Sequence, residues 1–236
     1  MTAVTPGTAA AATMTAIVQD EYGTAPEAVL RLAEIARPTI ADEEILVRVR
    51  AASVDRGTWH LMAGLPYPMR LAGFGLRRPK APNPGRSLAG TVESAGQEVT
   101  EFKPGDEVHG TCDGSFAPYA RARAGRLAPK PANLSFQQAA AIPVSAPTAL
   151  QAVRDHAKVQ AGQNVLIIGA SGGVGTFAVQ IAKAFGAEVT GVCSTAKTDL
   201  VRAIGADHVV DYTREDFADG QYRTPRTTWV NAGHAR

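Results

Sequence analysis

Residues 164–192 read NVLIIGASGGVGTFAVQIAKAFGAEVTGV, and this pattern decides the fold. The run Val165-Leu166-Ile167-Ile168 is apolar at every position, as expected for a parallel strand covered on both faces. A helix follows from about Val174 to Phe185, and Gly186 stands where a helix stop belongs. Between them lies Ala170-Ser171-Gly172-Gly173-Val174-Gly175, a G-x-G-x-x-G pattern with Ala at its first position. Gly172 lets the backbone approach a pyrophosphate, and Gly175 lets the helix pack closely on the strand. The helix N-terminus adds free N–H groups and a partial positive charge. Ser171, Gly172, Gly173, Val174 and Gly175 are therefore candidate dinucleotide-binding residues. A flavodoxin-like turn that binds no dinucleotide is the alternative.

Downstream, Glu188 to Cys193 reads as a strand, Lys197 to Ile204 as a helix stopped by Gly205, and His208 to Tyr212 as a third strand. The order β-α-β-α-β predicts a parallel sheet with right-handed crossovers. After Asp219-Gly220 comes QYRTPRTTWVNAGHAR, with three arginines, a proline and no apolar run, which argues against a central strand. The sequence therefore predicts a half-built nucleotide domain with an irregular tail. Upstream, Thr15 to about Pro143 is β-rich, with strands broken by Gly and Pro. Pro66 to Pro84 reads as an extended surface loop. Ser135 is a candidate N-cap for a helix ended by Pro143, and Thr148 to Lys158 reads as a second helix.

The 236 residues are 45% hydrophobic, enough for a core, and carry a net charge of +2. No Lys or Arg run points to a nucleic-acid partner, and no apolar run approaches the roughly 18 residues of a membrane span. The two cysteines, Cys112 and Cys193, suit a reduced, cytoplasmic protein. Residues 1–13 lack the features of a signal peptide and read as a disordered tail, with Met14 an alternative start to Met1.

Several further segments carry a resemblance. Ala52-Ser53-Val54-Asp55, Pro84-Gly85-Arg86-Ser87-Leu88-Ala89-Gly90, Gly105-Asp106-Glu107-Val108, Gly114-Ser115-Phe116-Ala117-Pro118-Tyr119, Ala139-Ala140-Ala141-Ile142-Pro143 and Thr148-Ala149-Leu150 precede the glycine turn in order. With these marks the chain resembles the medium-chain dehydrogenase/reductase superfamily, in its zinc-independent quinone oxidoreductase-like branch. The resemblance implies an α/β fold: a GroES-like β-rich catalytic domain over 14–143, then an incomplete Rossmann domain, a doubly wound parallel sheet, over 144–220. Residues 221–236 form the irregular tail. Zinc-dependent relatives carry Cys at the position of Asp55 and His-Glu at Arg86-Ser87, so the resemblance implies no zinc here. Family members run about a third longer, so the chain reads as C-terminally truncated.

Cofactor preference is legible after the second strand, where Cys193-Ser194-Thr195-Ala196-Lys197 holds no carboxylate to accept from a ribose 2′-OH. A hydroxyl with a cation suits a 2′-phosphate. In related NADPH-dependent reductases a Ser, a Lys three residues on and a Tyr after the third strand hold that phosphate, a spacing matched by Ser194, Lys197 and Tyr212. NADPH is the expected cofactor, ahead of NADH. Ser194 as a plain helix cap with Lys197 solvated is the alternative. Thr148 joins the cofactor-binding set through the same resemblance.

The implied reaction passes a hydride from the nicotinamide to a quinone or α,β-unsaturated carbonyl. Tyr67 is the candidate cleft hydroxyl and Asp55 the candidate that orders water or the nicotinamide ribose. A Tyr67 packed under its loop and an Asp55 spent as a cap stand beside those roles. Trp59, His60 and His109 are further pocket candidates. Small-molecule substrates are the expected partners, and a homodimer remains open. An inactive truncated or frameshifted remnant, binding nucleotide at most, is the alternative function.

Overall fold

A computed structural model describes residues 12–217 and 227–232. The expected disordered tail, apart from its last two residues, and the expected boundary at 220 lie outside the described residues. The chain divides into two compact units, Met1–Ala141 and Ile142–Arg236.

The N-terminal unit opens with a hairpin of β1 (Thr13–Gln19) and β2 (Leu30–Ala36), paired antiparallel, with the single-turn helix α1 (Pro26–Val29) between them. Five antiparallel strands follow: β3 (Glu44–Ser53), β4 (Ser87–Ala95), β5 (Glu107–Thr111), β6 (Tyr119–Arg123) and β7 (Leu127–Pro129). They lie in the order β6-β3-β4-β5-β7. Helix α2 (Arg56–Ala63) connects β3 to the Pro-rich loop, which contains a helical turn at Arg70–Phe74. Ile45, Val47, Leu88, Val92 and Val108 are buried together, while charged residues such as Arg48 and Arg50 face outward. The C-terminal half of β3 thus alternates as a half-exposed strand does, while Leu46 is buried on the opposite face.

Helix α3 (Phe136–Leu150) begins at a capping box: Ser135 Oγ accepts from the Gln138 N–H at 3.2 Å, and Gln138 Oε1 accepts from the Ser135 N–H at 2.9 Å. Contrary to the sequence expectation, Pro143 does not end it. The helix runs through both Pro143 and Pro147 and passes into a wider turn at Gln151–His156. Each proline forfeits one ladder hydrogen bond. Complete burial of the flanking alanines, Ala139 and Ala149, holds the segment helical despite that loss.

The C-terminal unit continues with β8 (Asn164–Ile168), α4 (Gly173–Ala184), β9 (Glu188–Cys193), α5 (Thr198–Ala203), β10 (His208–Asp211) and β11 (Thr227–Asn231). The four strands pair in parallel in the order β10-β9-β8-β11. Val165 and Ile167 pack into one cluster and Leu166 into another, so β8 is covered on both faces. Among the described residues no helix is long and apolar enough to cross a membrane.

The segment expected to be wholly irregular supplies β11, which runs alongside β8 from Thr227↔Asn164 to Asn231↔Ile168. Val230 is buried among the residues around Val165 and Ile167, while Trp229 packs with Leu166, Val192 and Val210 on the opposite face. Two consecutive apolar residues, one on each face, suffice because β11 has one strand neighbour among the described residues and needs little apolar length.

Val230→Ala is therefore expected to lower the stability of the protein by about 1–3 kcal/mol, read as an earlier denaturation midpoint.

Candidate functional site

The turn between β8 and α4 is built by glycines with separate duties. Gly169 adopts φ 75°, the left-handed conformation that reverses the chain. The first position of the fingerprint is thus filled in effect by Gly169, not by Ala170, which is fully buried. Gly175 is buried against the same turn: a Cβ there would lie 2.0 Å from the Gly169 carbonyl oxygen and 2.9 Å from Ala170 Cα. Gly172 and Gly173 are exposed and Val174 half-buried. Gly172 is the N-cap of α4 and offers no side chain to the first turn. The N–H groups of Gly173, Val174 and Gly175 therefore have no intrahelical carbonyl to meet, and they favour an anion. Ser171 is half-buried beside them.

Ser145 was not singled out by sequence. Its hydroxyl is the nearest atom to a Cβ built on Gly173, at 3.2 Å, which places it at the glycine turn. Its only signal was a hydroxyl in an alanine-rich helix, shared with Thr148. Thr148, one turn further along, donates to the Val144 carbonyl at 2.7 Å.

At the C-terminal end of β9, Ser194 precedes a short helical turn but makes no capping hydrogen bond, so of the plain-cap alternative only the solvated Lys197 is realised. Lys197 is exposed and Tyr212 is 56% exposed. The structure brings Ser194 and Tyr212 to adjacent strand ends, because the Tyr212 N–H donates to the Cys193 carbonyl at 3.1 Å. A network missed by sequence ties these ends together. Thr195 Oγ1 donates to Asp211 at 2.5 Å and lies 2.8 Å from Thr213 Oγ1. Thr213 donates its N–H and hydroxyl to the other Asp211 oxygen. The Thr195 hydroxyl, with Thr213, holds the Asp211 carboxyl below the usual carboxylate range.

The N-terminal unit contains a cavity of about 440 Å³. Leu61, Met62 and Phe74 give it apolar walls, and Lys80, Arg86 and Asp113 also line it. Tyr22 braces one side by donating its hydroxyl to the carbonyls of Phe74 and Gly75. Neither Tyr67 nor Asp55 lines this cavity. Tyr67 is 68% exposed, with the Arg70 guanidinium 4.9 Å from its ring centre, so it is not packed under its loop. Asp55 caps α2, its Oδ1 accepting from the Thr58 N–H at 2.8 Å, while Oδ2 is buried without a partner. Trp59 meets His60 edge to face and carries Arg56 over its ring. Burial, helped by the charge of Lys130, lowers the His109 pKa. Among the described residues no group of three or more His, Cys, Asp or Glu is placed to hold a metal.

Comparison with known proteins matches residues 41–132 to the alcohol dehydrogenase GroES-like domain and residues 173–223 to the zinc-binding dehydrogenase family. A chloroplastic quinone-oxidoreductase homolog from Spinacia oleracea is 37% identical over 219 residues, covering 89% of this chain and 64% of that protein. A 2-methylene-furan-3-one reductase from Solanum lycopersicum is 34% identical over 213 residues, covering 84% of this chain and 52% of that protein. The chain thus spans less than two thirds of the length of these relatives. The crystal structure of the Escherichia coli quinone oxidoreductase complexed with NADPH superimposes with a TM-score of 0.75 at 30% identity, covering 86% of this chain and 60% of that one.

Two substitutions separate packing from binding at the turn. Gly175→Ala is expected to destabilise the protein by about 1–3 kcal/mol, because its methyl group meets backbone. Gly172→Ala, an N-cap change whose Cβ would lie 3.3 Å from the Gly169 oxygen, is expected to lower the thermal midpoint by less than Gly175→Ala does. The low Asp211 pKa adds stability that is present above the ordinary aspartate value of about 3.9 and is lost as pH falls through the lower folded value. The gap in thermal midpoint between wild type and Asp211→Asn is expected to be open at pH 6 and to narrow below about pH 3.9.

Proposed function

We propose that this chain, which belongs to the medium-chain dehydrogenase/reductase superfamily, is an NADPH-dependent oxidoreductase of the zinc-free quinone and enone reductase type. The observation that carries the reading is the end of β9. A hydroxyl (Ser194) and an ammonium (Lys197) stand where an NAD-preferring site would place a carboxylate, and neither side chain has a hydrogen-bond partner among the described residues.

The residues present fit the dinucleotide. The glycine turn cannot carry side chains at Gly175 and leaves its first-turn N–H groups open for a diphosphate. Ser194, Lys197 and Tyr212 are the proposed partners of a 2′-phosphate. Asp211 stays ionised, but its oxygens are occupied by hydroxyl and N–H donors, so it does not compete for Ser194 or Lys197. Ser145 and Thr148 complete the proposed cofactor set from α3. When bound, the nicotinamide supplies a hydride donor and acceptor, which no side chain can replace.

Reduction of a quinone or enone builds negative charge on the carbonyl oxygen, which N–H or O–H donors must meet. Tyr67 is one proposed donor, and the unpartnered Asp55 Oδ2 is the proposed acceptor for an ordering water. Zinc has no part in the proposal. Asp55 is engaged at the start of α2, and position 86 is arginine, which has no lone pair to give a metal. Residues 14–143 are the proposed catalytic domain and 144–220 the proposed nucleotide domain. The relatives' names, and the NADPH in the Escherichia coli complex, support the substrate and cofactor classes. Both cysteines are free and buried, which supports placing the protein in the reduced cytoplasm.

Thermal melts test the cofactor. NADPH at a hundred times its Kd is expected to add about 2.7 kcal/mol of stability, more than NADH at the same concentration. Lys197→Ala is expected to reduce the NADPH shift and spare the NADH shift. Oxidation of NADPH by benzoquinone or an enone is the expected turnover. Binding without turnover would mean a nucleotide-binding remnant, and a larger shift with NADH would remove the 2′-phosphate assignment.

A further inference from the structure

The nucleotide reading leaves the cavity of the N-terminal unit without an occupant. We propose that it is a recognition site for a compact apolar carboxylate, with Arg86 holding the carboxylate and Leu61, Met62 and Phe74 enclosing the apolar body. Three observations support this. The volume of about 440 Å³ lies in the range of small-molecule sites. Arg86 lines the cavity half-buried, and its guanidinium has no hydrogen-bond or ion-pair partner among the described residues. A partly desolvated cation in that condition is stabilised by an anion that pairs with it. The lining also carries two surplus positive charges: Lys80, Arg86 and Arg126 face one carboxylate, Asp113, and the Arg126–Asp113 approach is a loose 3.9 Å.

The neighbouring thiol does not neutralise Arg86. Burial pushes Cys112 up to about 12, so it stays protonated. The planar fork of an arginine matches the two oxygens of a carboxylate, whereas apolar walls on the same cavity disfavour a fully hydrated inorganic anion. The anion site does not rest on the reductase reading proposed above.

The test is calorimetric titration of the full chain, without cofactor, using trans-cinnamate, its neutral isostere cinnamamide, and inorganic phosphate. Cinnamate is expected to bind at least tenfold more tightly than cinnamamide or phosphate. Arg86→Gln is expected to abolish the preference for cinnamate, and Arg86→Lys, which keeps the charge but not the fork, to reduce it. Thermal melts of both variants establish that they fold. Equal affinity of wild type for cinnamate and cinnamamide overturns the proposal without recourse to any variant. So does phosphate binding as tightly as cinnamate, or a folded Arg86→Gln that keeps the preference. None of these results depends on NADPH binding or turnover, so failure here and failure of the reductase reading are separable.

Discussion

The C-terminal unit is organised around an approach that leaves no room for a methyl group. Gly175 sits so close to the Gly169 carbonyl that the first turn of α4 and the end of β8 are in backbone contact. That contact sets where the helix begins, and so where its unpaired N–H groups lie. The next β-α step uses the same device from the strand side. A Cβ on Gly191 would meet Val201 Cγ1 at 2.5 Å, so β9 gives up a side chain to let α5 come close. Close packing of this kind converts a sequence of small residues into a rigid position for polar backbone.

Charge is arranged with similar economy along β10. Asp207, just before the strand, accepts from Lys183 Nζ at 2.8 and 2.7 Å and from the Val189 N–H at 2.7 Å, tying the end of α4 to the sheet. The hydrogen bond from Lys183 is the chief reason its carboxyl lies below the usual range. Among the described residues Asp211, closing the strand, accepts only hydroxyl and backbone donors. One carboxylate is thus matched by a formal cation and the other by neutral dipoles. At the end where a phosphate is proposed, a negative charge surrounded by donors leaves Lys197 uncommitted.

Much of this was legible in the chain. The all-apolar Val165 to Ile168 gave the doubly covered strand, Gly186 and Gly205 gave the stops, and Ser135 with Gln138 made the box that starts α3. Other features failed for identifiable reasons. Pro143 signals a stop by its local cost, yet the helix runs on through it, with Ala139 and Ala149 buried on either side. Thr227 to Asn231 lacks an apolar run, yet its one apolar pair, Trp229 and Val230, places a residue on each face of the sheet. The Asp211 network joins residues 16 positions apart through small polar side chains, which carry no periodicity. Arg86 showed only what it could not do for a metal, because its lack of a partner is a property of three-dimensional surroundings.

The placement of β11 beside β8 also orders events during synthesis. β8, β9 and β10 leave the ribosome in sequence, and each can pair with its predecessor through a short crossover. The flank of β8 that receives β11 stays open until Thr227 to Asn231 have been made, although β8 is the most apolar strand of the sheet. Throughout that interval the nascent chain exposes unpaired N–H and C=O groups along an apolar strand, the kind of edge that recruits neighbouring chains. Addition of β11 thus replaces that apolar edge by a more polar one.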